Sequence, residues 1–281
     1  SSLALAMVTG RSFTIFNLRA KRKTPGLARQ HLTAVMAARE VCAGSMIGAE
    51  IGSQRLEFYP GEVTPGEFSF DIGSAGSKSL VLQTVLPPLM IADAPSQLTL
   101  RGGTHNTMAP PFEFLTDVYL PLVEKMGPKF DCELVRHGFY PAGQGEVRVQ
   151  VQPSAELQSM ELNERGKLLR QSATAIVSNL PLHIAEREVG TLRSKLGWKK
   201  KCFHAEEVNA AGPGNVVMAT LEFENVCELF AGFGQRGVPA ERVAGGVAHQ
   251  VAAYLKHDAP VGEYLADQLL LPLGIAAQQG R

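Results

Sequence analysis

Residues 136–145 read Arg-His-Gly-Phe-Tyr-Pro-Ala-Gly-Gln-Gly and bring a cation, an imidazole, two aromatic rings and a glycine-rich bend together. Strand alternation alone requires no such mixture. The run lies between two strand-like stretches, 130–135 and 146–151, so it forms a shaped connection at a sheet edge, an ordinary glycine-rich hairpin being the plainer reading. A second cluster, Leu-Arg-Ala-Lys-Arg-Lys at 18–23, stands before a Thr-Pro-Gly start to a helix. Helix-terminal amides beside several cations suit a phosphate, where Arg19 and Arg22 can fork around oxygens and Gln30 can add amide hydrogen bonds; a solvated basic loop is the alternative.

Three further stretches carry chemistry. Residues 72–79, Ile-Gly-Ser-Ala-Gly-Ser-Lys-Ser, lead into an apolar helix and turn backbone N–H groups toward its start, although the spacing is not that of a Walker loop. Gln83 is a lone amide on that apolar helix, and a buried amide must find partners. Residues 101–114 combine Gly102-Gly103 with Pro110-Pro111 and the aromatics Phe112 and Phe114, a shelf on which a purine can stack if one ring is not core. Residues 262–272 place Tyr264, Asp267 and Gln268 at helical neighbour spacing beside an apolar stripe. The seven histidines show neither H-E-x-x-H spacing nor clustering with cysteine, so a catalytic zinc site is not expected. Nor is there a Gly-x-Ser-x-Gly elbow.

The elements that must position these residues alternate between amphipathic helices and short β-rich runs, an α+β layered architecture. Helices are expected at 1–9, 27–42, 78–92, 112–125, 185–196, 239–256 and 262–271. Strands are expected at 12–17, 48–51, 55–59, 67–71, 97–100, 130–135, 146–151, 171–177, 200–207, 216–223 and 228–233. Two units of two helices on a sheet fill residues 1–167, a small α/β domain spans 168–258 between polar linkers at 163–167 and 257–261, and a further unit begins at 259–281. Acidic and basic residues balance at 27 each, so a polyanion has to be met locally rather than by net charge. Four scattered cysteines read as reduced thiols, and no apolar run reaches a membrane span; a soluble cytoplasmic protein is expected, with no membrane partner. Lys199, Lys200 and Lys201 beside Trp198 either meet RNA backbone or guard a strand edge.

Taken in order, Arg19-Ala-Lys-Arg with Pro25-Gly-Leu and Arg29-Gln-His-Leu, Ile72-Gly-Ser-Ala-Gly with Leu82-Gln-Thr, Gly102-Gly-Thr-His-Asn with Ala109-Pro-Pro, His137-Gly-Phe-Tyr-Pro-Ala-Gly and Glu263-Tyr-Leu-Ala-Asp-Gln resemble the RNA 3'-terminal phosphate cyclase family over the whole chain. The resemblance implies repeated units of a four-stranded sheet backed by two helices, with a small α/β insertion. It also implies an ATP-dependent ligase-like enzyme of RNA processing. A histidine takes up AMP, passes it to an RNA 3'-terminal phosphate, and the neighbouring 2'-hydroxyl closes a 2',3'-cyclic phosphodiester as AMP leaves; a divalent metal, magnesium or manganese, neutralises the triphosphate.

On that resemblance Arg19, Arg22, Gln30 and Asp267 are catalytic, Asp267 sitting beside the nucleophile's imidazole. Gln83, Pro110, Phe114, Tyr264, Leu265, Ala266, Asp267 and Gln268 bind ATP, with Pro110 and Phe114 flanking adenine. The family's opening strand with its Gly-Glu-Gly-Gly-Gly-Gln loop, and the segment with the nucleotidyl-accepting histidine, are expected outside residues 1–281. The seven histidines are therefore not assigned that role, and the chain reads as a piece that by itself binds without adenylylation. Gln144 stands where the family has glycine, a change expected to leave the turn intact. A catalytically inactive cyclase-like ribosome-assembly protein and, less favoured, an enolpyruvyl transferase are the competing readings.

Overall fold

A computed structural model describes residues 1–73, 76–107 and 109–279. Ser74 and Ala75 of the glycine loop lie outside the described residues. Helix α1 (Ser2–Thr9) precedes β1 (Phe13–Ile15), α2 (Arg29–Val41), β2 (Ser45–Ile47) and β3 (Leu56–Tyr59). These strands form an antiparallel sheet in the order β1-β3-β2. The strand expected at 48–51 falls instead at Ser45–Ile47, because Gly48 at φ 77 turns the chain and a Cβ there would meet Arg55 O at 2.4 Å.

Next come β4 (Glu67–Asp71), α3 (Lys78–Leu89), β5 (Ser96–Gly102), a wide π-helical stretch (Phe114–Tyr119) running into α4 (Leu120–Glu124), β6 (Lys129–Arg136) and β7 (Gly145–Gln152). Their sheet, ordered β4-β5-β7-β6, is mixed, with β4 and β5 parallel. Leu98, Leu100, Val147, Val149 and Val151 alternate onto its buried face. The helix expected over 112–125 is continuous but widened. Leu120 N donates to Leu115 O, and Pro121, with no N–H to give, follows directly.

The inserted segment is built from β8 (Leu168–Ser178), α5 (His183–Leu196), β9 (Phe203–Glu207), β10 (Gly214–Phe223), β11 (Cys227–Phe233) and α6 (Ala240–Leu255). The sheet is again four-stranded and mixed, β11-β10-β8-β9, with β8 and β9 parallel. Ala175, Val177, Val217, Ala219 and Leu221 face α5 and α6, whereas Ile176, Val216, Met218 and Leu229 join the main core. The insertion is thus covered on both faces.

The two crossings into it are stapled by Arg165. Its guanidinium donates to Ala259 O (2.8 Å), Tyr254 O (2.8 Å) and His257 O, and lies 3.7 Å over the Tyr254 ring.

Helix α7 (Glu263–Gln278) runs past the expected end at 271. Its buried stripe of Leu265, Leu269, Pro272, Ile275 and Ala276 continues through the proline, whose ring is part of that stripe. On β11, Glu228 accepts a hydrogen bond from Gly262 N at the start of α7. The four cysteines are free thiols, and burial, ahead of neighbouring carboxylates, pushes Cys132 and Cys227 up to about 12. No helix among the described residues is long and apolar enough to cross a membrane.

Candidate functional site

Helix α3 is buried nearly all round, with Val81, Leu82, Val85, Leu86 and Leu89 in the core. Its remaining stripe, Leu80, Gln83, Thr84 and Pro87 at the i, i+3, i+4, i+7 spacing of one helical face, lines a cleft of about 470 Å³. Opposite stand Gln30, His31 and Ala34 of α2 and Asp267, Gln268 and Leu271 of α7. The volume is that of an ordinary small-ligand site, which spans roughly 300–1,000 Å³.

Gln83 Nε2 donates to Gln268 Oε1 across the cleft, so the amide that looked misplaced on an apolar helix bridges α3 to α7. His31 Nδ1 is buried in this wall without a hydrogen-bond partner. Burial, then the nearby Arg19 guanidinium, hold its imidazole below the usual range, with the Ala28 backbone acting in the opposite direction. A concave wall with an amide pair, a carboxylate and an unsatisfied ring nitrogen fits a polar ligand that supplies the missing bonds.

Of the residues expected to act together, Gln30, Gln83, Asp267 and Gln268 line this cleft. Arg19 stands beside it: its Nη1 donates to Gly26 O at 2.7 Å and its charge reaches His31. The loop it staples is closed by Gly26, whose φ of 81 and close approach to Gly52 O, 2.0 Å from a Cβ placed there, leave room only for glycine. Arg22 is exposed in that loop and does not line the cleft.

Tyr264, with 66 % of its surface exposed, is likewise outside the lining, Leu265 is fully buried, and Ala266 donates its amide to Gly262 O inside the helix. Pro110 accepts from Ser79 Oγ at 2.8 Å and is not in the cleft wall. Phe114, expected to flank adenine with Pro110, is 4 % exposed within the core. The half-buried phenylalanine of this stretch is Phe112. The buried face of this stretch runs through Phe114, Leu115 and Val118.

A second polar cluster lies under the turn at 136–145. Gly138 N donates to Thr104 Oγ1 (2.9 Å), which is 2.7 Å from His105 Nδ1, while His105 Nε2 stands 2.8 Å from Glu113 Oε2. His105 is 2 % exposed, and the His137 ring stacks over it at 5.4 Å. Burial acts to raise Glu113, yet its hydrogen bond to His105 and the imidazole charges hold it below the usual carboxylate range. Burial, then His105, lower His137.

Two residues beyond His137, Phe139 packs on Gly214 of β10, where any Cβ would overlap the ring, so this turn docks the main sheet on the insertion. Lys78, 3 % exposed with Nζ unpartnered, sits at the start of α3, and burial brings it down to about 7 against the pull of Glu146. Sequence spacing missed this cluster because its members come from the end of β5, the start of the π stretch and the end of β6. The retained turn accommodates Gln144 at φ 55, with Arg136 Nε donating to its carbonyl at 2.6 Å.

Two mixed four-stranded sheets, each backed by helices, and a largely apolar cleft carrying a few polar side chains between helices describe a protein of the repeated sheet-and-helix class. Within it, the chain belongs to the RNA 3'-terminal phosphate cyclase family, whose model matches residues 1–281. It is 47 % identical to the RNA 3'-terminal phosphate cyclase of Koribacter versatilis over 277 residues, 98 % of this chain and 78 % of that protein. It is 48 % identical to those of Pseudomonas fluorescens, over 98 % of this chain and 81 % of that protein, and of Salmonella typhimurium, over 99 % and 82 %. Membership sets aside the enolpyruvyl transferase reading.

Proposed function

We propose that this chain carries the nucleotide- and RNA-phosphate-binding part of an ATP-dependent cyclase, which closes an RNA 3'-terminal phosphate onto the neighbouring 2'-hydroxyl. The observation that carries the reading is convergence: Gln30, Gln83, Asp267 and Gln268, remote in sequence, meet at one cleft in a member of this family. A phosphate monoester is a poor electrophile until it bears a good leaving group, and transfer of AMP from a protein histidine supplies one. The acceptor histidine is taken to belong to the family segment outside residues 1–281.

In this reading the Gln83 and Gln268 amides exchange their mutual bond for bonds to the nucleotide, and Asp267 orients the incoming imidazole. Gln30 and Arg19 receive the RNA phosphate, with Arg22 drawing in the polyanion from its exposed loop. Tyr264, its ring in solvent one turn before Gln268, is free to cover a bound base. Phe114 is given no stacking role. The group that neutralises the triphosphate is a magnesium or manganese ion. Asp267 is the carboxylate that lines the cleft among the described residues, and one carboxylate plus substrate phosphates is a common way to hold such an ion.

A second reading, a cyclase-like protein that binds without taking up AMP, draws support from the cleft lining, where His31 is the one histidine among the described residues. Incubating the full gene product with α-labelled ATP and magnesium separates the two. Acid-labile, base-stable label on protein, discharged by an RNA 3'-phosphate, is the cyclase result. Nucleotide binding by a folded product that never becomes labelled selects the second reading.

A further inference from the structure

We propose that His105, Glu113 and His137 form a binding site for one zinc-class divalent cation, separate from the nucleotide cleft. Each side chain offers one ligand atom, and the three atoms lie within 4.8 Å of one another. Two imidazoles and a carboxylate are a donor set that suits zinc and its neighbours far better than magnesium, which prefers oxygen ligands and water.

The hydrogen bonding around His105 is arranged for either state of such a site. Thr104 Oγ1 accepts from Gly138 N and has one proton to give, either to Gly138 O at 3.2 Å or to His105 Nδ1 at 2.7 Å. If it gives to Nδ1, then Nε2–H donates to Glu113 and the metal-free network is complete. If it gives to Gly138 O, Nδ1–H donates to the hydroxyl and Nε2 faces the Glu113 carboxylate at 2.8 Å, a gap that either a proton on the ring or a metal ion bridges. That second arrangement is the usual support of a metal-bound histidine, whose other ring nitrogen is held by an oriented acceptor.

Access and closure both come from His137. It borders a crevice of about 540 Å³ between the main sheet and the insertion, lined also by Arg136, Gln144, Glu146 and Asn209. Zinc bonds of about 2.0–2.1 Å place tetrahedral ligand atoms roughly 3.3 Å apart. Closing from the observed spacing requires the half-buried His137 ring to turn out of its stack on His105, 20° between planes, so that a ring nitrogen points at the ion. The crevice then supplies the fourth ligand as water. The ion ties the ends of β5 and β6 to the start of the π stretch, directly behind the Phe139 contact with the insertion.

The test uses zinc alone and needs no nucleotide. The full chain is stripped with EDTA and titrated with zinc against a chromophoric chelator, and cobalt is substituted to read its visible bands. The expected result is one equivalent bound, tetrahedral cobalt absorption, and no displacement by millimolar magnesium. His137→Ala is expected to weaken zinc binding at least 100-fold, and Thr104→Val 10- to 100-fold, with unchanged far-UV circular dichroism. Should His137→Ala fail to fold, Glu113→Gln gives the same reading. Absence of stoichiometric uptake by the stripped wild type overturns the proposal. So does uptake that folded His137→Ala or Glu113→Gln retains in full.

Discussion

His31 Nδ1 in the α2–α3–α7 cleft and Glu188 Oε1 in the insertion are both buried polar atoms without a hydrogen-bond partner, yet they sit in opposite settings. His31 borders an open cavity beside Gln83 and Gln268, where an arriving ligand can satisfy it. Glu188 is 0 % exposed on α5, packed into the closed core between the inserted sheet and α6. Its other oxygen accepts from Asn215 Nδ2 at 2.8 Å, and the side chain is closed to solvent. An unpaired buried atom signals a binding wall in the first case and a cost to folding in the second. Access makes the difference.

Several measurements test that contrast, the largest effect first. Arg165→Ala removes three carbonyl bonds and the ring contact that hold the insertion's two crossings. A loss of about 3–4 kcal/mol in denaturant unfolding is expected. Arg165→Lys is expected to recover only part, since one ammonium cannot span all three carbonyls. A loss under 1 kcal/mol would mean that the two covered faces alone seat the insertion.

Glu188→Gln probes the closed core with pH. Burial pushes the Glu188 carboxyl up to about 7, against its Asn215 hydrogen bond, with the charge of Glu241 adding to the rise. A folded pKa above the unfolded value near 4.5 means that the folded state binds the extra proton. The group's stabilising contribution is therefore complete below pH 4.5 and lost as pH rises through 7. Glutamine has no such loss, so at pH 8 the variant is expected to be more stable by about 3 kcal/mol, shrinking toward zero at pH 4. Glu228, also raised to about 7 by burial, keeps a similar slope in the variant, so the pH dependence is roughly halved rather than abolished. Nucleotide affinity should not move. If it falls with Glu188→Gln, the core and the cleft are not independent.

The element order was legible in the sequence because strands such as 146–151 alternate in the main sheet, while those of the insertion, covered on both faces, are β-branched or apolar runs between turn residues. Gln83 was legible as a lone amide on an apolar helix. Phe114 was not, since two aromatics two residues apart on one helix differ only in which side the widened turn presents to the core. Nor was the His105–Glu113–His137 cluster, whose spacing in the chain carries no regular interval and whose assembly depends on sheet register at Gly102–Gly145. Arg165 read as a polar linker residue, and only the approach of 254–259 from the far end of the insertion gives it partners.

The cleft side of the contrast is expected to give smaller energies and a different readout. Gln83→Leu keeps the size of the side chain while removing the bridge to Gln268, and His31→Ala removes the unpartnered nitrogen. Each is expected to weaken ATP binding about 10-fold by calorimetry, or roughly 1.4 kcal/mol, while changing unfolding stability by less than Glu188→Gln does. Stability shifts without an affinity change would make His31 another core histidine and remove the cleft from consideration.

Smallest is Gln144→Gly, in the turn between β6 and β7. Gln144 holds φ 55, a left-handed conformation that disfavours a side chain by roughly 1–2 kcal/mol. Glycine removes that strain but widens the unfolded ensemble by part of the same amount, so a net gain of about 0.5 kcal/mol is expected by thermal unfolding. Because Arg136 bonds the carbonyl of residue 144 rather than its side chain, the turn geometry should survive. A destabilised Gln144→Gly chain would instead mean that the glutamine side chain itself helps to hold the crevice wall beside His137.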